Sequence, residues 1–253
     1  TKILTNTKED LKTNAEYSRI RKSFSHFSDR LFFLCGVAML ISEIWKQLTL
    51  TFMLGHGTYN WWYLPFQLCS IPMYLLLAYP WIRRELARQA LLAFLMCYGL
   101  MGGIAVFADT SGLQYPLESL TIHSYTWHIL LILIGISAGI VYCRGLSAGS
   151  RDKFIFSRVL TRAFPFSPFL HSTLIYLACC LIAEILNLSL DRFGTINMFY
   201  INPDYKMQQI VFRDLLPFIG NTASIFLYIA ACIFGAFLLY LIWRMLYRLL
   251  SCR

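Results

Sequence analysis

The chain has 253 residues, of which 58% are hydrophobic and only 14% charged, and its mean hydropathy is +0.58. A water-soluble domain is nearer half apolar and a quarter charged, so this balance excludes an ordinary globular protein and a disordered one, and points to a multi-span membrane protein. The net charge of +9 could suggest a nucleic-acid binder, but the placement of the basic residues along the chain gives it another meaning.

Residues 1–30 form a basic segment without the apolar core of a cleavable signal peptide. Tyr17, Ile20, Phe24 and Phe27 recur there at helical spacing beside Arg19, Arg21 and Lys22, the pattern of an amphipathic helix lying on an anionic leaflet. Residues 31–253 read as one membrane domain. Hydropathy predicts six spanning helices, at 31–54, 60–82, 89–108, 121–143, 169–189 and 221–246, each long enough to cross a hydrocarbon core. Backbone groups in lipid must be satisfied within the segment, which selects helices, and the alternating ten-residue pattern of an outer-membrane barrel is missing. The fold class expected is therefore an all-α polytopic bundle with basic interfacial helices on its cytoplasmic side. The second such helix is expected around Phe154, Ile155, Val159 and Leu160, among Lys153, Arg158 and Arg162.

Orientation follows from lysine and arginine. Seven lie in residues 1–30, three after the second helix, five after the fourth and three in the C-terminal tail; the opposite side holds Arg192, Lys206 and Arg213. Eighteen against three places both termini in the cytoplasm, with the plasma membrane as the expected location. The charge then marks a membrane face and anionic inner-leaflet lipids as its partner, and no nucleic acid is called for. The small residues of Gly99-x-x-x-Gly103 and Gly135-x-x-x-Gly139 allow close helix approach. They are expected to pack the third helix on the fourth, which leaves a monomer or a weak homodimer.

The eight cysteines fall almost entirely in apolar runs with no C-x-x-C pair, which argues against a disulfide framework and against a metal site. One has a distinctive setting. Cys69 lies nine residues into the second predicted helix, about 13 Å along its axis, and His128 lies seven residues into the fourth, about 10 Å along. Both run from the outer face, so the two share the outer half of the membrane. Cys97, Cys179, Cys180 and Cys232, near mid-membrane, have no histidine at their depth, and Cys35, Cys143 and Cys252 lie near the inner face, while His123 is shallower than His128, at the outer rim. A thiol needs a base or a cation to become a nucleophile, so Cys69 and His128 are the candidate pair; a buried thiol and a carbonyl-bonded histidine are the bland alternative. Pro65 and Pro72 bracket the cysteine, and Pro72 is expected to kink the helix and free the Leu68 carbonyl. Gln67 and Ser70 add polar groups as oxyanion-stabilising candidates. Asp109, Glu118 and His123 line the polar entry to the fourth helix. Glu43 is expected to pair with Lys46, and Glu184, one turn from Asn187, to orient the histidine, hold a lipid amine or pair with an arginine.

The stretch Trp61-Trp62-Tyr63-Leu64-Pro65-Phe66-Gln67-Leu68-Cys69, Tyr115-Pro116 ahead of a helix reaching His128, and the late segment from Asn187 through Gly194-Thr195-Ile196-Asn197-Met198-Phe199-Tyr200 to Asn202-Pro203 resemble the motifs of YwaF-type integral membrane proteins. Ile196 interrupts what would be a Gly-Thr-Asn-Tyr run. The resemblance covers roughly residues 30–247. It implies a cysteine-dependent phospholipid acyltransferase, as in the family's animal branch, with Cys69 as nucleophile and His128 as its histidine. Phospholipids or lysolipids would be the substrates, with no cofactor. The competing expectation is a non-enzymatic transporter or substrate-binding subunit with a cavity at the proline-bracketed second helix.

Overall fold

The computed structural model describes residues 27–151 and 164–251. Most of the two basic segments expected at the cytoplasmic face, in residues 1–30 and near 153–162, lies outside the described residues.

Among the described residues the chain is helical, with no strand. Five helices are long and apolar enough to cross a membrane: α1 (Phe27–Leu54), α3 (Glu85–Ala108), α4 (Glu118–Arg151), α5 (Ser167–Leu190) and α7 (Asn221–Ser251). Two short helices complete the set, α2 (Ile71–Ala78) and α6 (Phe212–Ile219). The expected sixth continuous span at 60–82 is not one helix. It is a single 3₁₀ turn at Trp61–Tyr63, an irregular stretch to Ser70, then α2 and a further 3₁₀ turn, Tyr79–Trp81. Pro72 accordingly does not kink a helix. It occupies the first turn of α2, where its missing N–H would have had no intrahelical partner and its fixed φ suits the helix start.

The sidedness of the helices identifies their solvent. On α5, Leu174, Leu181 and Leu188 are seven apart, share one face, and are each more than 60% exposed. The opposite face buries Ser172, Tyr176, Ala183 and Asn187. α1 repeats the pattern, with Leu34, Ile41 and Leu48 outward and Phe32, Met39 and Glu43 inward. A helix whose outer stripe is more apolar than its inner one is stable only where lipid replaces water. The chain is that of a multi-pass membrane protein.

α3 is the central helix, with every residue from Ala90 to Leu100 buried. Its Tyr98 stacks on Tyr176 of α5 at 4.8 Å and donates a 2.9 Å hydrogen bond to Thr173. A wide π turn at Leu95–Gly99 interrupts α3, and the Met96 carbonyl in it accepts a hydrogen bond from the Trp243 indole of α7. The four motif glycines divide their work. A Cβ on Gly103 would meet Leu131 and Ile132 of α4, and one on Gly135 would meet Leu100 of α3, so these two seat α3 on α4 as expected. Gly139 instead receives the Trp243 ring, and Gly99 faces Pro72 of α2.

The two ends of the bundle differ. At one end Arg88 pairs with Asp29, lies 4.3 Å over the Tyr79 ring and donates to the Ile82 carbonyl, tying α1, α2 and α3 together. At the other end the bundle opens into a cavity bounded by the irregular stretch before α2, the α3–α4 connection and the segment from Phe199 to α6.

Candidate active site

The site is built on a broken segment. Ser70 N–H donates back to the Gln67 carbonyl at 2.8 Å, making a turn, and the α2 helix begins immediately after it with Ser70 as its N-cap. Cys69 therefore sits one residue ahead of a helix N-terminus, where the unsatisfied N–H groups and aligned peptide dipoles give positive potential. Its carbonyl accepts a 3.1 Å hydrogen bond from the Trp127 indole. That bond fixes the turn to α4 one residue before His128.

Cys69, Ser70, His123 and His128 all border one cavity of about 800 Å³, together with Lys46 of α1 and Asp109 at the end of α3. The imidazole of His128 is buried, and its Nδ1 lies 2.8 Å from the Ser124 carbonyl. A carbonyl can only accept, so Nδ1 carries the proton and Nε2 holds the basic lone pair. His123 has one ring nitrogen engaged: its Nε2 meets the Ser42 hydroxyl of α1 and its ring packs between Trp45 and Trp127, while its Nδ1 is buried without a partner among the described residues. The two histidines lie about 140° apart round α4, yet both reach the cavity wall, because Ser124 and Trp127 fill the arc between them.

Gln67 ties the turn before Cys69 to the segment at Phe199. Its Oε1 accepts from Phe199 N–H at 2.7 Å and its Nε2 donates to the Asn197 carbonyl at 2.9 Å, which leaves the second Nε2 hydrogen unused by these two bonds. Asn187, buried in α5, holds the same segment from the other side, accepting from Met198 N–H at 2.7 Å and donating to its carbonyl at 3.3 Å. Asn197 is also structural: its Oδ1 accepts from Asn202 N–H at 3.0 Å. These clamps hold Phe199 and Tyr200 in left-handed backbone conformation, each at φ 57°. That region is costly for bulky residues, and two in succession persist only where surrounding contacts impose them.

The candidate carboxylates separate. Asp109 is exposed at the cavity mouth and caps the 3₁₀ turn Thr110–Leu113 by accepting from Ser111 N–H at 3.0 Å. The Ser111 hydroxyl and amide hold its carboxyl below the usual range. Glu118 lies exposed in the first turn of α4, favourably placed for the helix dipole but off the cavity wall. Glu184 accepts from Asn187 Nδ2 at 3.3 Å and is likewise not on the wall. Glu43 is buried and bridges to Lys46 at 2.8 Å, as the i, i+3 spacing suggested.

Several cavity groups carry no mark in the sequence. Cys232 of α7 borders the same cavity, although depth counting separates it from the histidines. So do Tyr63, Tyr115 and Tyr200. The run Tyr115-Pro116 hints at one of them, but nothing local to Tyr200 shows that its backbone is turned toward the cysteine. Among the described residues no cluster of three or more histidine, cysteine or acidic side chains could hold a metal ion. No family model, curated protein or solved structure matches this chain.

Proposed function

We propose that the cavity is the active site of a membrane-embedded, cysteine-dependent lipid acyltransferase. The observation that carries this reading is that Cys69 and His128 border one cavity, with the His128 Nδ1–H anchored on a carbonyl so that Nε2 is the available base. A thiol in apolar surroundings resists ionisation. With His128 as the proposed proton acceptor, no standing thiolate is needed. In the first step His128 Nε2 takes the thiol proton while sulfur bonds to the ester carbonyl carbon. The tetrahedral intermediate collapses to a thioester, and the leaving alcohol of the lipid takes the proton back from the imidazolium. An acceptor hydroxyl or amine then attacks the thioester, gives its proton to His128 and releases Cys69. Phospholipids and lysolipids are the substrates proposed, with no cofactor, as the resemblance to YwaF-type proteins implies. Placement in the plasma membrane with both termini cytoplasmic, and six crossings with 60–82 as the second, complete the proposal.

The test is covalent capture. Purified protein incubated with acyl-labelled phospholipid should carry a hydroxylamine-labile acyl group on Cys69, found by mass spectrometry, and Cys69→Ala should lose both label and transfer. Persistence of transfer in a folded Cys69→Ala protein would rule out covalent catalysis at this thiol. One observation favours the rival reading: irregular backbone beside a buried Glu43–Lys46 pair also suits solute binding at a broken helix. Solute counterflow into vesicles with the Cys69 thiol blocked by alkylation would favour that reading instead.

A further inference from the structure

Two phenols converge on the reacting cysteine from different parts of the chain. Tyr115 belongs to the α3–α4 connection, and Thr121 staples it there: the Thr121 hydroxyl oxygen accepts from Tyr115 N–H at 2.9 Å and donates to its carbonyl at 3.3 Å. The Tyr115 ring rests against Tyr63, centroids 5.5 Å apart. Tyr200 comes from the opposite wall, in the strained pair clamped by Gln67 and Asn187, with its ring edge-to-face with Trp62 at 6.4 Å. Both rings are partly buried and both border the cavity with Cys69 and His128.

Both phenols lie in the low-dielectric surroundings of that cavity. Burial pushes the Tyr115 phenol up, and the fields of Tyr63, Cys69, Glu43 and Tyr200 add to it. Burial, then Cys69, pushes Tyr200 up to about 12, with the Gln209 side chain pulling modestly the other way. The Tyr115 hydroxyl has no hydrogen-bond partner among the described residues. Two protonated phenols thus border the cavity of Cys69, one of them at the end of a backbone held in a costly conformation.

Such strain is retained where it serves geometry. The reaction proposed for this cavity develops negative charge on one atom that Cys69 and His128 do not touch, the former carbonyl oxygen, and preorganised donors there supply a large share of catalysis. We propose that the hydroxyls of Tyr115 and Tyr200 form the oxyanion hole for acyl transfer at Cys69. The assignment rests on the acyltransferase reading. As sulfur bonds to the carbonyl carbon, the π pair moves to oxygen, and both phenols donate to that oxygen without giving up their protons. When the carbon–oxygen bond to the leaving alcohol breaks, the pair returns to re-form the carbonyl, now of the thioester. Gln67, with both amide atoms engaged, serves as a positioning residue for Tyr200.

Two reactions of the same thiol separate this role from a structural one. Acylation by p-nitrophenyl octanoate passes through a tetrahedral oxyanion; alkylation by iodoacetamide does not. Both rates are to be followed at Cys69 by intact mass, with Cys69→Ala as blank, in wild type, Tyr115→Phe, Tyr200→Phe and, as a control away from the cavity, Tyr59→Phe. Each of the two cavity variants keeps its ring and should acylate about 100-fold more slowly, while its alkylation rate stays at the wild-type value. Tyr59→Phe should match wild type in both. Undiminished acylation in both cavity variants, or acylation and alkylation falling by one common factor, overturns the oxyanion assignment and leaves the acyltransferase reading standing. A wild-type Cys69 that alkylates but never acylates removes the acyltransferase reading itself, and this assignment with it.

Discussion

Gln67 shows how one side chain can serve a reaction without touching it. It spans from the turn before Cys69 to the segment that delivers Tyr200, using both ends of its amide. Gln67→Leu would leave a buried N–H and carbonyl unpaired, at about 1–3 kcal/mol each, and would let the two left-handed residues relax. The variant should lose thermal stability in detergent and should slow acylation of Cys69 more than its alkylation. Single-thiol changes should divide sharply: Cys69→Ala loses acyl transfer, while Cys97→Ala retains it, since Cys97 is buried within α3 away from the cavity. Cys232→Ala is the stricter control, because that thiol shares the cavity, and it too should retain transfer. With its pKa raised to about 12, Tyr200 keeps its proton at any pH below that value. An activity profile from pH 7 to pH 10 should therefore have the same alkaline shape in wild type and Tyr200→Phe, differing only in height. Counting depth along helices brings Cys69 and His128 to one level in the sequence, yet Cys69 lies in irregular backbone ahead of α2, so their shared cavity does not follow from that count. Tyr200 carries no such mark, because its position depends on hydrogen bonds from residues 67 and 187, far away in the chain.

Five spanning helices were legible to within a few residues, the ends apart, because a lipid-filling apolar run has one stable solution. The stretch 60–82 misled for the same reason. Its hydropathy is that of a span, and hydropathy cannot distinguish a helix facing lipid from irregular backbone lining a cavity. Nor does it mark the π turn in α3 or the short helix α6. The glycine motifs announced close packing but not which partner each glycine takes. A Cβ on Gly135 would come within 2.7 Å of Leu100 Cβ and 3.1 Å of its Cα, whereas one on Gly102 meets nothing nearer than 3.8 Å. Gly135→Ala should therefore push α4 off α3 and cost about 1–3 kcal/mol. Gly102→Ala should be neutral, or stabilising by about 0.5–1 kcal/mol through the restricted unfolded chain. Melting temperatures of the two purified variants, measured side by side, give the comparison.

At the scale of the whole molecule, the close-packing glycines are spent internally: Gly103 on α4, Gly135 on α3, and Gly139 and Gly235 across the α7 interfaces. No such face is left for dimerisation through these motifs, and a mass measurement of the detergent-solubilised protein should return a monomer. The eighteen-to-three imbalance of basic residues predicts cytoplasmic reporter activity from fusions at both termini. A periplasmic or extracellular signal from either end would invert the depth scale on which the pairing of Cys69 with His128 was first reasoned.

The eight residues of α2 rise only about 12 Å, against a hydrocarbon core of about 30 Å. During synthesis this segment cannot therefore enter lipid as an independent unit: the N–H groups of Leu64, Phe66 and Ser70 bond locally, but the Cys69 carbonyl would arrive there without its partner. Trp127, which caps the Cys69 carbonyl, and Asn197 and Phe199, which meet Gln67, all emerge from the ribosome later. The segment holding Cys69 must wait, shielded by the insertion machinery or parked at the interface, until α4 and the 197–199 loop exist to receive it. A truncated chain ending before α4 should leave residues 55–84 open to water-soluble thiol reagents at Cys69, and extension past residue 200 should close them off.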